Sequence, residues 1–383
     1  MAIGAPVRNA SIAFAGMTAS ALAVVTDQRM DGRPVVGYAF DSIGRYGHGS
    51  LLRERFIPRL LGAEPDALRD GSGLIDPPAA ARVLMQNEKA GGHGERPGAV
   101  ALLEAALWDA AAKASGEPLW RVLSKRFGGA AGAAPGPDIA VYATCGHLRI
   151  GAHGHGDELA ALGDATARAT AHGYTTVKIK VTGEPAADLA RIDAAARAIA
   201  PANLAVDVNG ALTDVTGPAW MERIGARSLA WIEEPCDPLD FALLSTLAAG
   251  SPIAIATGEN LFSFADARNL LRYGGLRPQR DTIQVDPLLS YGLDEYLRIV
   301  RLFESHGWHR SRFYPHAGHL FAAHVVAGLG LGSAEAAPDA DLPYGGFWDG
   351  SVVEHGRLHI RDLPGVGFEG KRNLYGILRG LGR

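Results

Sequence analysis

The chain has 383 residues, 47% apolar and 20% charged, with a net charge of −4. That length holds one large domain plus a smaller one, and the charge gives no bulk electrostatic reason to expect nucleic acid or an anionic membrane as partner. Two cysteines, Cys145 and Cys236, make no disulfide framework; with no signal-peptide pattern and no run of about 18 apolar residues, a cytoplasmic protein is expected.

In chain order, SALAVVTD and PVVGYAF read as paired strands around a turn near DGRP. An Ala- and Leu-rich stretch over 99–114 has apolar residues at helical spacing. These belong to a first domain over 1–127, and the linker GGAAGAAPGP marks its end. A regular alternation follows. Strands are expected at IAVYAT (139–144), TTVKIKV (175–181), LAVDVN (204–209), WIEEP (231–235), IAIATGE (253–259), TIQVDP (282–287) and RFYPH (312–316), with helices over 186–199, 265–273 and 293–306 between them. Strands alternating with helices imply an α/β fold with a parallel sheet, and such even spacing implies a closed (β/α) barrel over 128–346. The eighth strand is poorly marked, near 333–337. The tail, 347–383, contains VVEHGRLHI and DLPGVGFEG and is expected to return to the first domain. GGHGER (91–96) lacks the strand and the Lys-Ser/Thr of a phosphate loop, so no nucleotide site is read there.

Three acids close successive strands at equal steps of 26 residues: Asp207, Glu233 and Glu259. Strand ends of a barrel face one point, and three carboxylates meeting there need a cation. Oxygen-only ligation suits a hard one, Mg²⁺ first and Mn²⁺ second. On the strand before them, Lys178 and Lys180 share one face, because side chains alternate. Val177, Ile179 and Val181 take the other face, so the lysines point into the barrel. Each lysine is expected to lower the pKa of the other, which suits a base near neutrality. Across the barrel, His316 closes the seventh strand and Asp286 the sixth, placing a carboxylate where it can orient the imidazole. His319 and His324 follow as weaker candidates. A base and an acid on opposite sides of a cation suit α-proton abstraction from a small anionic hydroxy acid, with return of a proton or loss of a hydroxyl.

KIK, DVNG, WIEEP, ATGEN, VDP and PHAGH, in that order and spacing, resemble the enolase superfamily, mandelate racemase branch. The resemblance implies a modified TIM barrel, an α+β N-terminal capping domain completed by the C-terminal tail, and a homo-oligomer. NEKAGGHGER, GRYGHGSLLRERF, ARNLLRYGG, LSYGL, PYGGF and LPGVGFEGK are further similar to D-tartrate dehydratases. That likeness implies Mg²⁺ on Asp207, Glu233 and Glu259. It implies Lys180 as base, Lys178 as its partner against the substrate carboxylate, and His316 as general acid oriented by Asp286. Asn209 would lie beside the bound carboxylate. For a second carboxylate, capping-loop residues Arg45, Lys89, His93 and Arg96 are the candidates, Lys89 foremost. Two stretches depart from the family pattern. TCGHLRIGAHGHG (144–156) replaces an expected Gly- and Tyr-rich loop, making His147 and Arg149 substrate-side candidates. SAEAAPD alters the eighth strand and introduces Glu335. Other readings are a different diacid or sugar-acid dehydratase, an epimerase, and, remotely, a non-catalytic binding protein on the same barrel.

Overall fold

The computed structural model describes residues 7–8, 18–41, 47–91, 93–128, 134–149, 155–338 and 346–382. Strands Ala21–Met30 and Arg33–Phe40 form an antiparallel hairpin. Its turn, Asp31–Gly32, has φ of 51° and 75°. Two positive φ values match the twist of the flanking strands, and Asp-Gly tolerates them. Helix Arg96–Ala114 packs on the hairpin and is buried nearly all round, since its Ala/Leu-rich sequence offers no continuous polar face. Gly37 permits the approach, because a Cβ there would lie 1.9 Å from the Ala106 carbonyl oxygen.

The few polar groups on this helix reach outward to the other parts of the molecule. Glu104 accepts the Leu293 and Asp294 N–H groups at the start of helix Leu293–Glu304. Asp109 accepts from Tyr38 of the hairpin at 2.9 Å and from Val366 of the tail at 2.7 Å. Lys113 lies 2.8 Å from Asp109 and 2.9 Å from Glu369 of the tail.

The barrel strands are Asp138–Cys145, Val177–Lys180, Leu204–Asp207, Ile232–Glu233, Ile255–Thr257 and Thr282–Ile283, each parallel to the next. Phe313 bridges Ile283 and accepts the Gly332 N–H at 3.0 Å. Ala334–Ala336 then pairs in parallel with the first strand. That pairing closes the sheet into a modified TIM barrel with eight strand positions. Helices follow the strands, and Val177, Ile179, Val206, Ile232, Ile255 and Ile283 face them in the main apolar core.

The barrel interior has its own apolar floor of Tyr142, Ala205, Trp231 and Ala256, joined by Tyr314. The rings meet edge-on, Tyr142–Trp231 at 5.1 Å and Trp231–Tyr314 at 5.8 Å. Four of the five floor residues precede a polar residue by two positions: Tyr142 before Thr144, Ala205 before Asp207, Trp231 before Glu233 and Tyr314 before His316. Period-two alternation therefore stacks a polar layer on a dry aromatic one.

The tail touches both parts of the molecule. Its hairpin, Val353–Glu354 with Arg357–His359, pairs antiparallel with Asp138–Ala140 of the first barrel strand. Gly365 then bridges Pro118, and Tyr375 of helix Arg372–Leu378 meets Tyr38 edge-on at 5.9 Å.

Candidate active site

Lys180, Asp207 and Glu233 lie on one rung of the sheet, as direct cross-strand neighbours. Glu259 enters two residues beyond its strand, after Gly258 at φ 120°. One oxygen from each of Asp207, Glu233 and Glu259 lies within 4.8 Å of the others. Asp207 and Glu233 are fully buried. Two buried carboxylates and a partly buried third, offering only oxygen ligands, fit a hard divalent cation, and Mg²⁺ suits an all-oxygen set.

The backbone beside these residues is unusual. Asn209, Glu234 and Ala317 have φ of 49°, 40° and 88°, just past Asp207, Glu233 and His316. Such conformations cost about 1–3 kcal/mol each in a non-glycine residue. At Glu234 the effect is plain. Strand alternation sends this side chain outward, and the left-handed turn returns it to the site. The Asn260 amide then donates to both Glu234 oxygens at 2.9 Å and to Glu259 at 3.2 Å. Burial, with the Glu259 and Asp207 charges, pushes the Glu234 carboxyl well above the usual carboxylate range.

Lys178 is fully buried, hydrogen-bonded to Glu233, 3.0 Å from Glu335, and 5.7 Å over the Tyr142 ring. Lys180 is hydrogen-bonded to Asp207. Burial disfavours both ammonium ions. Glu233 and Glu335 outweigh it for Lys178, and Asp207 does so for Lys180, so both pKa values stand above the ordinary lysine range. This differs from the lowering expected of adjacent lysines. Lys178 does act on Lys180 in that direction, but Asp207 is closer and stronger. With Asp207 committed to a cation, that counter-charge is withdrawn.

Across the barrel, His316 Nε2 is 3.2 Å from Glu259 and Nδ1 is 3.5 Å from Asp286. Burial opposes its protonation; Glu259 and Asp286 prevail and raise its pKa to about 9. Asp286 is fully buried and also lies 3.5 Å from His319 Nε2. His319 Nδ1 accepts the Ala322 N–H at 3.0 Å, so the ring proton sits on Nε2 and faces Asp286. Asp286 thus stands between two imidazoles.

Residues 161–374 match the family described as enolase C-terminal domain-like. The chain belongs to the enolase superfamily. It is 26% identical over 359 residues to the L-talarate/galactarate dehydratase of Salmonella typhimurium, covering 92% of this chain and 81% of that one. It is 30% identical over 291 residues to the 3,6-anhydro-alpha-L-galactonate cycloisomerase of Streptomyces coelicolor, covering 73% and 71%. The Salmonella dehydratase, solved with Mg and L-lyxarohydroxamate, superposes with a TM-score of 0.74 over 97% of this chain and 88% of that one at 24% identity, a likeness of fold.

Other residues of this superfamily member are placed unevenly. The Asn209 N–H donates to Asp207 at 2.9 Å. His147 follows the first strand, partly buried, and burial together with the Lys180 charge pushes it down to about 4. Lys89 is exposed on the capping loop, while His93 and Arg96 meet the Tyr291 hydroxyl at 3.0 and 2.8 Å. Arg45 and the Arg149 side chain lie outside the described residues. Glu335 lies in the polar layer itself: besides Lys178, it accepts from the Thr144 hydroxyl and from the Ala317 N–H at 3.2 Å. Burial opposes its ionisation, yet Lys178 and His316 hold it well below the usual range. Glu234 and Asn260 were not singled out from sequence. Their signals were the doubled Glu of WIEEP and the Asn that follows Glu259.

Proposed function

We propose that this protein is a Mg²⁺-dependent acid-sugar dehydratase that converts D-tartrate to oxaloacetate and water. The observation that carries the reading is the placement of Lys180 and His316 on opposite sides of the Asp207–Glu233–Glu259 cluster. Asn209 and Lys178 meet one substrate carboxylate. Lys180, as the free amine, takes the α-proton and leaves the electron pair on the substrate as an enediolate. Asp207, Glu233 and Glu259 would hold the Mg²⁺, which when bound would supply the positive charge that offsets developing negative charge on the substrate carboxylate. His316, protonated at neutral pH, gives its proton to the β-hydroxyl. The C–O bond breaks, water leaves, and the resulting enol tautomerises to oxaloacetate. Asp286 holds the His316 ring and keeps it charged between turnovers. His147, neutral at pH 7, offers a hydrogen bond to a substrate hydroxyl. Lys89 meets the second carboxylate.

The Salmonella relative is by name a dehydratase of L-talarate/galactarate, which supports dehydration as the reaction class. The specific choice of D-tartrate rests on the NEKAGG and neighbouring motifs. The same opposed pair can invert a stereocentre, so epimerisation is the second reading. Incubation with Mg²⁺ and each of D-tartrate, galactarate and L-talarate, with keto-acid release followed, tests the proposal. Oxaloacetate from D-tartrate is expected. Release only from another acid overturns the substrate, and deuterium uptake from D₂O without water loss favours the epimerase.

A further inference from the structure

The loop carrying Lys89 is tied to the barrel mouth chiefly through the Arg96 guanidinium. Arg96 Nε donates to the Tyr291 hydroxyl at 2.8 Å. Its Nη1 donates to Glu88 at 3.1 Å and to the Lys89 carbonyl at 2.9 Å, and its Nη2 to the Gly91 carbonyl at 2.7 Å. Glu88 is pinned further by Arg59 at 3.0 Å and Arg55 at 3.5 Å, and its side chain is only 5% exposed. The backbone around Lys89 is therefore fixed on both sides of that residue.

Tyr291 is on the barrel side of the clasp. It lies five residues past Asp286, in the connection after the sixth strand, where barrel enzymes place substrate contacts. Its φ of 62° is left-handed and costs energy that a mere connector has no reason to bear. The next residue, Gly292 at φ 99°, lies so close to the capping helix that a Cβ would meet a Glu104 carboxylate oxygen at 1.7 Å. His93 adds a contact at 3.0 Å to the Tyr291 hydroxyl. The strained turn and the capping loop are built to meet.

We propose that Arg96 and Tyr291 are positioning residues that hold Lys89 over the barrel mouth, and that this clasp sets the preference for a diacid over a monoacid. The inference rests on the dehydratase reading, with Lys89 as the group that meets the second carboxylate. A planar guanidinium binding three oxygens of one loop has the fork geometry that lysine lacks.

The test uses the full-length protein with Mg²⁺ and the variants Tyr291→Phe, Lys89→Met and their combination. D-tartrate is the diacid substrate and glycerate, which carries the same reacting carbons without the second carboxylate, is the competing monoacid. Tyr291→Phe is expected to raise KM for D-tartrate about tenfold while kcat stays within about twofold and inhibition by glycerate is unchanged. Lys89→Met should do the same, and the double variant should add nothing further, because both remove one interaction. A parallel loss for glycerate, a fall in kcat, or additive effects overturns the clasp and makes it structural support. If the wild type acts on galactarate or L-talarate instead, only the substrate assignment fails, and the comparison is repeated with that acid. If it turns over no acid, the dehydratase reading fails. The clasp is then judged by calorimetry, with succinate binding expected about tenfold weaker in Tyr291→Phe and butyrate binding unchanged; unchanged succinate binding overturns it.

Discussion

Asp286 shows how much one buried carboxylate can organise. It accepts the Leu288 N–H at 2.7 Å and faces His316 and His319 with its two oxygens. Burial alone would raise its pKa, yet the two imidazoles hold it far below the usual range. Its partner His316, raised to about 9 first by Glu259 and then by Asp286, is charged at neutral pH, as the proposed acid needs to be, while Lys180 stands opposite beside Asp207. The proposed division of labour between base and acid is separable by mutation. In His316→Asn, water loss is expected to fall by at least about 10²-fold while Lys180 still exchanges the substrate α-proton with D₂O. In Lys180→Met, both exchange and water loss should disappear. Proton NMR in D₂O follows both processes at once, and the loss of exchange in His316→Asn would show that the two residues do not act in separate steps. The alternation in TTVKIKV is enough to put Lys178 and Lys180 on one face, and equal spacing is enough to put three acids at neighbouring strand ends. Neither rule reaches Glu234, whose left-handed φ reverses the alternation. Nor does either rule reach His319, which meets Asp286 from the N-cap of helix Leu320–Leu329.

Between elements, the join that matters most is where helix Arg96–Ala114 meets the start of helix Leu293–Glu304. Nothing in the local sequence marks it, because a Glu inside an Ala-rich helix reads as a solvated residue until tertiary contacts are known. The eighth strand was obscure for a different reason: it is three residues, Ala334–Ala336, without the β-branched run that marks the others. At the helix join, burial pushes the Glu104 carboxyl up to about 7, although Leu293, Trp108 and Asp294 N–H groups all oppose the rise. A carboxyl raised in the folded state favours folding fully below its unfolded pKa, near 4.5. That contribution is lost as pH rises through about 7, and the change amounts to about 3 kcal/mol. Glu104→Gln cannot ionise, and its amide oxygen still accepts from Leu293. The variant is expected to gain on the wild type between pH 5 and pH 8, by up to about 3 kcal/mol in urea unfolding. An identical difference at both pH values would mean that Glu104 does not titrate in this range.

For the molecule as a whole, charge is unevenly balanced at the barrel mouth. Among the described residues, six carboxyl groups gather there, from Asp207, Glu233, Glu234, Glu259, Asp286 and Glu335, against the cationic groups Lys178, Lys180 and His316. Burial and mutual repulsion push the Glu233 carboxyl up to about 7, against the opposing pull of Lys178, and push Glu234 well above the usual carboxylate range. That is a poor arrangement for stability and a good one for capturing a divalent cation, which brings the missing positive charge into a dry site. The strands bearing these acids are hydrogen-bonded members of the barrel sheet, so the cation's binding energy should appear as stability of the fold. A ligand bound only by the native state at a hundred times its Kd adds about 2.7 kcal/mol. In a chain of this length that corresponds to a rise of a few degrees in Tm. Chelation with EDTA is therefore expected to abolish turnover and lower Tm by a few degrees, with excess Mg²⁺ restoring both. Glu259→Gln keeps the shape of its side chain but removes a charge from the donor set. Its Tm should stand above that of the chelated wild type, since one repulsive carboxylate is gone, and should respond little to Mg²⁺. A Tm that rises equally with Mg²⁺ in wild type and variant would place the cation elsewhere in the protein.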